Sequence, residues 1–71
     1  MNLWEAEEGT EYTVDRVVCR DAEMESFLFS LGCFSGEPIT VVTRRKKILV
    51  ASIKDGRYSM DRRLAETILL N

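Results

Sequence analysis

The 71-residue sequence predicts an all-β protein with one short helix, folded as a small, partly open barrel of five strands. Segments rich in β-branched and aromatic residues are short and closely spaced, which favours strands. Only one segment has a helical period, and it lies between the first two predicted strands. A capped single turn precedes the last strand. We therefore expect a single domain over residues 1–71.

The first strand is predicted at residues 10–18, after Gly9, where strand-forming residues are dense. Leu3 and Trp4 precede it, and we expect them to cap the core as a lead-in to the strand. This placement makes the N-terminal segment part of the barrel.

The helix is predicted at residues 21–31, where apolar side chains recur at positions i, i+3, i+4 and i+7. This apolar stripe consists of Met24, Phe27, Leu28 and Leu31. Asp21 can cap the first turn by accepting a hydrogen bond from a free amide. Gly32 can end the helix in the left-handed conformation. We expect the stripe to lie across the open end of the barrel.

A meander of three strands is predicted after the helix, at residues 39–43, 48–53 and 57–60. The basic segment between the first two contains no Gly or Asn, which predicts a loop of about four residues built on a type I turn. Asp55-Gly56 predicts the second hairpin, because glycine tolerates the positive φ of tight turns. Asp61 is expected to cap a single helical turn that ends at Ala65, and residues 67–70 form the last strand.

Several enzyme classes are disfavoured by composition. The sequence contains no His, which removes the Ser-His-Asp triad and the imidazole general base. Its two cysteines, Cys19 and Cys33, cannot supply the ligands of a tetrahedral zinc site within one chain. A disulfide between them would close a loop of about 15 residues, but we expect two core-lining thiols instead. We predict no catalytic residue, no cofactor and no enzyme activity.

Acidic pairs offer no convincing metal site. A hard cation such as ferrous iron needs several convergent oxygen ligands. The side chains of Glu7 and Glu8, or of Glu23 and Glu25, diverge because they are close in sequence on one element. We therefore predict solvated charge at these positions and no metal-ligating residue.

The charge balance argues against a general polyanion binder, because 10 basic and 12 acidic residues give a net charge of −2. No apolar run approaches the roughly 18 residues of a transmembrane helix. The N-terminal residues do not resemble a secretory signal. We expect a cytoplasmic chain with no membrane insertion and no nucleic-acid partner.

Four sequence features occur together in one known family. Leu3 and Gly9 match an opening Leu followed by Gly. Residues 27–36, FLFSLGCFSG, are similar to a Leu-x-x-Leu-Gly-hydrophobic-x-Pro-Gly signature, with Ser35 in place of the usual Pro. The series continues at Ile39, Val41 and Val42, and at the ending Ala65-x-x-Ile68. The order and spacing of these four features over residues 3–70 resemble those of the FeoA family.

The FeoA family is the small cytoplasmic partner of the FeoB ferrous-iron transporter. The resemblance implies an SH3-like fold, which also occurs at the C-terminus of DtxR-type metal-dependent repressors. It implies a non-enzymatic accessory protein that binds the cytosolic GTPase region of a FeoB-type transporter at the inner face of the membrane. The alternatives are a generic SH3-like adaptor related to the repressor domain, and a small-barrel nucleic-acid binder.

Phe29 and Phe34 are the first candidate partner-binding residues. Phe29 lies about 200° around the helix from Phe27, away from the centre of the apolar stripe. If exposed, it would anchor a partner, together with Phe34 just beyond the helix. The alternative is that surrounding loops bury Phe29.

The consecutive residues Arg44, Arg45, Lys46 and Lys47 are the second candidate, as a contact for an acidic partner surface or for phosphates. No aromatic residue interleaves with them to stack on bases. The alternative is a solvated turn that discourages pairing between strand edges. Weak homo-oligomerisation through such an edge also stays open.

Overall fold

The computed structural model describes residues 1–71 and contains one five-stranded antiparallel sheet in the order β4-β3-β2-β1-β5. The elements in chain order are a 3-10 turn at Leu3–Glu5, β1 at Glu11–Val17, α1 at Ala22–Ser30, β2 at Pro38–Arg45, β3 at Ile48–Ile53, β4 at Gly56–Asp61, α2 at Arg62–Ala65 and β5 at Ile68–Leu70. The edge strands β4 and β5 are not hydrogen-bonded to each other. The predicted all-β, partly open barrel, with a helix between strands 1 and 2, is confirmed.

Strand β1 bends the sheet because it changes partner along its length. Its first residues pair with β2, and Val14 to Val17 pair with β5 across a register shift. The chain enters β2 only at Pro38, so on that edge the end of β1 has no strand partner, while its other edge pairs with β5. This arrangement opens a groove on one side of the barrel.

The core contains fourteen buried apolar residues drawn from all five strands, both helices and the segments beside them. They are Leu3, Ala6, Val14, Leu28, Cys33, Ile39, Val41, Leu49, Ala51, Ile53, Met60, Ala65, Ile68 and Leu70. Buried residues alternate with half-buried or exposed ones along β2 and β3, as expected for strands with one face on a core. Leu3 is fully buried, which confirms that the N-terminal segment caps the core.

The helix ends are as predicted, but its buried face is not. Asp21 caps α1 by accepting hydrogen bonds from the amides of Glu23 and Met24. Of the predicted stripe, only Leu28 is buried, whereas Met24 and Phe27 are exposed. The expectation that α1 covers the open end of the barrel is therefore wrong.

The physical reason is that other elements fill that position. Leu3, Ala6 and Ala65 are fully buried, and α2 packs against β3, β4 and the N-terminal 3-10 turn. Asp61 caps α2 through the amide of Leu64, as predicted. Because α1 has only sparse contact with any other element, most of its surface stays in water.

The first hairpin turn is tighter than predicted, and the second is shifted by one residue. Arg45 pairs with Ile48, so only Lys46 and Lys47 form the turn between β2 and β3, and the predicted four-residue loop is wrong. Lys46 has a φ of 56°. A left-handed residue costs about 1 kcal/mol, and the additional strand pairs at the end of the ladder offset that cost.

The second hairpin forms where it was predicted, but its turn is Lys54–Asp55 rather than Asp55-Gly56. Lys54 has a φ of 53°, and Gly56 already pairs with Ile53 as the first residue of β4. Glycine is suited to this strand position because a Cβ there would collide with the Tyr58 ring.

The two cysteines are free thiols. Cys33 lines the core as predicted, whereas Cys19 is only half-buried and donates a hydrogen bond to the carbonyl of Asp21. No helix is long and apolar enough to cross a membrane.

Candidate functional site

A groove of about 480 Å³ lies between α1 and the C-terminal end of β1. It is lined by Arg16 and Val17 from β1, by Glu25, Ser26, Phe29 and Ser30 from α1, and by Cys33, Phe34 and Ser35 from the loop after the helix. The groove exists because β1 has no strand partner on this side beyond the point where β2 begins.

Two aromatic rings form the main apolar surface of the groove. Phe29 is 63% exposed, which settles the alternatives for this residue in favour of exposure. Its ring centroid lies 4.8 Å from that of the half-buried Phe34, at an interplanar angle of 33°. The two tilted rings are in contact distance of each other, so they present a single apolar surface to solvent.

The end of α1 holds these two rings together. The amide of Cys33 donates to the carbonyl of Leu28, and the amide of Gly32 donates to that of Phe29, each at 3.0 Å. With Gly32 at a φ of +96°, this is the Schellman arrangement that ends many helices. Leu28 and Cys33 point into the core, so their neighbours Phe29 and Phe34 are held at the surface.

Lys54, in the turn between β3 and β4, completes the site from a distant part of the sequence. Its ammonium nitrogen lies 5.4 Å from the centroid of Phe34 and forms an ion pair with Glu37. Its aliphatic carbons cover Gly32, where a Cβ atom would lie 2.6 Å from the Lys54 Cε. The Lys54 side chain therefore packs closely over the glycine that ends the helix.

The electrostatics of the groove favour binding over covalent chemistry. Burial raises the pKa of the Cys33 thiol from 9.0 to about 11, so the thiol is neutral near pH 7 and is a poor nucleophile. Arg16 forms an exposed ion pair with Asp15 at 3.1 Å, whereas Glu25 forms none. An aromatic surface with charge of both signs at its rim suits a protein or peptide contact.

No group of three or more His, Cys, Asp or Glu side chains converges closely enough to hold a metal ion. The acidic pairs considered from the sequence lie at exposed positions.

The basic segment lies at the other end of β2 from the groove. The eight residues of β2 place it roughly 20 Å from Pro38, where the groove side of the strand begins. The structure thus brings Phe29 and Phe34 together but does not bring the basic residues to them.

Arg44 differs from the other three basic residues because it is half-buried and engaged within the chain. Its backbone amide donates to Glu8 Oε2 at 2.6 Å, and its guanidinium donates to the carbonyl of Ala6. The guanidinium carbon also lies 5.8 Å from the Trp4 ring centroid, and that of Arg62 lies at 5.5 Å. Only the three residues after Arg44 extend freely into solvent.

The sequence did not single out Lys54, Arg16 or Cys33 as residues of the site. Lys54 follows β3, and nothing in the sequence indicates that the end of this strand lies close to the end of α1. For Arg16, the alternation along β1 predicted a strand position but not which neighbour it would face. Only Phe29 and Phe34, which flank the predicted helix stop at Gly32, carried a sequence signal.

Comparison with known proteins gives consistent matches. The profile of the FeoA domain family matches residues 1–71. A comparison with curated protein sequences finds no match. FeoA of Stenotrophomonas maltophilia, solved with zinc and described as a unique procaryotic SH3 domain protein, superposes with a TM-score of 0.90. It is 21% identical, over 100% of this chain and 89% of that chain.

Two further solved structures show the same architecture. FeoA of Chlorobium tepidum has a TM-score of 0.89 at 22% identity, over 99% of this chain and 68% of that chain. A manganese-dependent transcriptional repressor has a TM-score of 0.85 at 23% identity, over 96% of this chain but only 39% of its own. At these identities the likeness establishes the fold, which is SH3-like.

Proposed function

The chain belongs to the FeoA domain family, and on that premise we propose that it is a non-enzymatic cytoplasmic accessory protein of ferrous iron uptake. In this proposal it binds the cytosolic GTPase region of a FeoB-type transporter. The S. maltophilia relative, for which a role as a bacterial ferrous iron transport activating factor has been suggested, supports the link to iron uptake.

The observation that carries the proposal is the exposed Phe29, whose ring packs against that of Phe34 at the groove. An aromatic side chain that is 63% exposed has much apolar surface to lose to a partner. Aromatic residues in pockets that become fully desolvated commonly dominate binding energies. The Schellman end of α1 holds the pair in place before binding, so little ordering is required when the partner docks.

Regulation of the transporter would follow from selective binding. A module shifts an equilibrium between nucleotide states only if it prefers one of them. The groove would therefore bind the GTP-bound and GDP-bound forms of the GTPase region with different affinities. The exposed basic residues 45–47, at the far end of β2, are not part of this contact.

The test is a titration of this chain against the purified cytosolic domain of the transporter, with GDP and with a GTP analogue. Phe29→Asp should weaken binding by about tenfold or more, because it places a charge in an apolar contact. Phe27→Asp is the matched control, since Phe27 is 51% exposed on the same helix but does not line the groove. Equal weakening by both variants, or no saturable binding in either nucleotide state, would refute the proposal.

A generic SH3-like adaptor is the second candidate function, and the likeness to the repressor structure favours it. In that case the groove would bind a different protein or peptide. A neighbouring gene for a large membrane protein with a GTPase domain would favour the transporter. Specific capture of another protein by the wild-type chain, lost in Phe29→Asp, would favour the adaptor.

A further inference from the structure

The turn between β2 and β3 carries a separate binding surface, and we infer that it contacts the anionic phospholipid headgroups of a membrane. We define the basic turn as Arg45, Lys46 and Lys47, all exposed. This inference rests on the proposed function, because a partner of a membrane transporter works beside a bilayer.

The side chains of the basic turn are not paired with any carboxylate. Glu8 accepts a hydrogen bond from the amide of Arg44, and Asp61 accepts one from the amide of Leu64, so neither carboxylate is bonded to a side chain of the turn. Glu66 pairs with Arg62 at 3.1 Å. The turn therefore projects positive charge although the chain as a whole carries −2.

The turn is held in one conformation by the packing behind it. The amide of Arg62 donates to the carbonyl of Lys47 at 2.9 Å, which ties the turn to the start of α2. Arg44, Arg62 and Trp4 pack together beneath it. Because the backbone of the turn is fixed, only its side chains have to be ordered when it meets a surface.

An exposed apolar side chain stands directly beside these cations. Ile48 is 47% exposed and lies opposite Arg45 in the strand pairing, so the two side chains share one face. Peripheral membrane contacts combine basic residues, which meet the headgroups, with apolar side chains, which enter the acyl boundary. The combination of Arg45 and Ile48 matches that chemistry.

This combination favours lipid over nucleic acid. Base recognition in single strands needs aromatic side chains free to stack, and the only tryptophan, Trp4, is half-buried beside two guanidinium groups. A contact with phosphates alone would make no use of Ile48. Three cations support only weak partition by themselves, so the transporter would supply the local concentration that makes the contact effective.

The test is flotation of the full chain with vesicles at low ionic strength and millimolar lipid. Vesicles of phosphatidylcholine alone are compared with vesicles that contain an equal part of phosphatidylglycerol. We expect partition only into the anionic vesicles, weakened by added salt. Each cation contributes roughly fivefold to such partition, so Lys47→Glu should lower it at least about fivefold.

Arg57→Glu is the matched control, because Arg57 is exposed on β4 away from the turn and the variant has the same net charge as Lys47→Glu. It should lower partition by less than about twofold. Equal loss in both variants, or no preference for anionic vesicles, would overturn the inference. Binding to single-stranded RNA that is lost in Lys47→Glu, without vesicle partition, would assign the turn to nucleic acid and overturn it as well.

This test is independent of the transporter titration, which contains no lipid. Phe29 is on α1, at the groove and far from the basic turn, so Phe29→Asp should leave vesicle partition unchanged. A chain that binds vesicles but not the transporter domain would retain the lipid contact and refute the proposed function. A chain that binds the transporter domain but not the anionic vesicles would refute only the lipid contact.

Discussion

Leu28 and Phe27 are neighbours on α1, yet one is fully buried and the other is 51% exposed. Leu28 is the only buried residue of the nine in the helix. It therefore attaches α1 to the core, together with Cys33 just beyond the helix end. Phe27 adds apolar surface without adding to the core.

Substitution of these two residues should have very different effects on stability. Leu28→Ala leaves a cavity in the core, and we expect it to lower the free energy of unfolding by about 2 to 5 kcal/mol. Phe27→Ala should change it by less than about 1 kcal/mol, because the side chain is largely in water. Urea denaturation followed by the fluorescence of Trp4 measures both values. Similar losses in the two variants would contradict the placement of α1.

The buried thiol of Cys33 predicts a pH dependence of stability. Its pKa is raised from 9.0 to about 11 by burial, so the folded chain retains the proton at a pH where the unfolded chain releases it. The stabilisation by the neutral thiol is complete below pH 9.0 and is lost as the pH rises towards 11. We expect the urea midpoint to fall across this window, and to fall less steeply in Cys33→Ala. Parallel pH profiles for the two proteins would contradict this assignment.

The turn between β2 and β3 contains one residue whose backbone conformation is unfavourable for its type. Only Lys46 of its two residues has a positive φ, a conformation that Asn adopts at lower cost. Lys46→Asn should therefore raise the free energy of unfolding by about 0.5 to 1 kcal/mol. Lys47→Asn removes the same charge and should give no such gain, because Lys47 does not have a positive φ. Equal urea midpoints for the two variants would contradict the two-residue turn.

The ends of α1 could be predicted from sequence, whereas its buried face and the hairpin turns could not. Asp21 and Gly32 act locally, through hydrogen bonds to nearby amides and through a backbone conformation, so sequence alone placed them correctly. The stripe around Leu28 indicated which side chains share a helix face, but not how much of that face the barrel covers. The tight turn at Lys46 was missed because strand pairing outweighed the preference of lysine for negative φ.

At the scale of the whole molecule, the groove depends on the way the sheet closes. β1 leaves β2 halfway along its length to pair with β5, and this change of partner exposes the end of β1 to α1. The predicted aromatic residues Phe29 and Phe34 lie on this groove. Lys54 could not be predicted because its contact with Phe34 arises only when the meander folds back. The barrel itself was predictable from the number and order of short strands.

The two proposed surfaces at opposite ends of β2 suit a small module placed between a transporter domain and a bilayer. The groove would contact the protein, and the basic turn would contact the lipid. Residue Arg44, which the sequence grouped with the turn, instead supports it from within.

The most direct test of the groove as the docking surface is backbone amide chemical-shift mapping. The isotope-labelled chain is titrated with the cytosolic domain of the transporter, in the absence of lipid. We expect the largest shifts at Ser26, Ser30 and Phe34, and small shifts along β4. Saturable binding with the largest shifts on β4, and none along the groove, would contradict the central proposal.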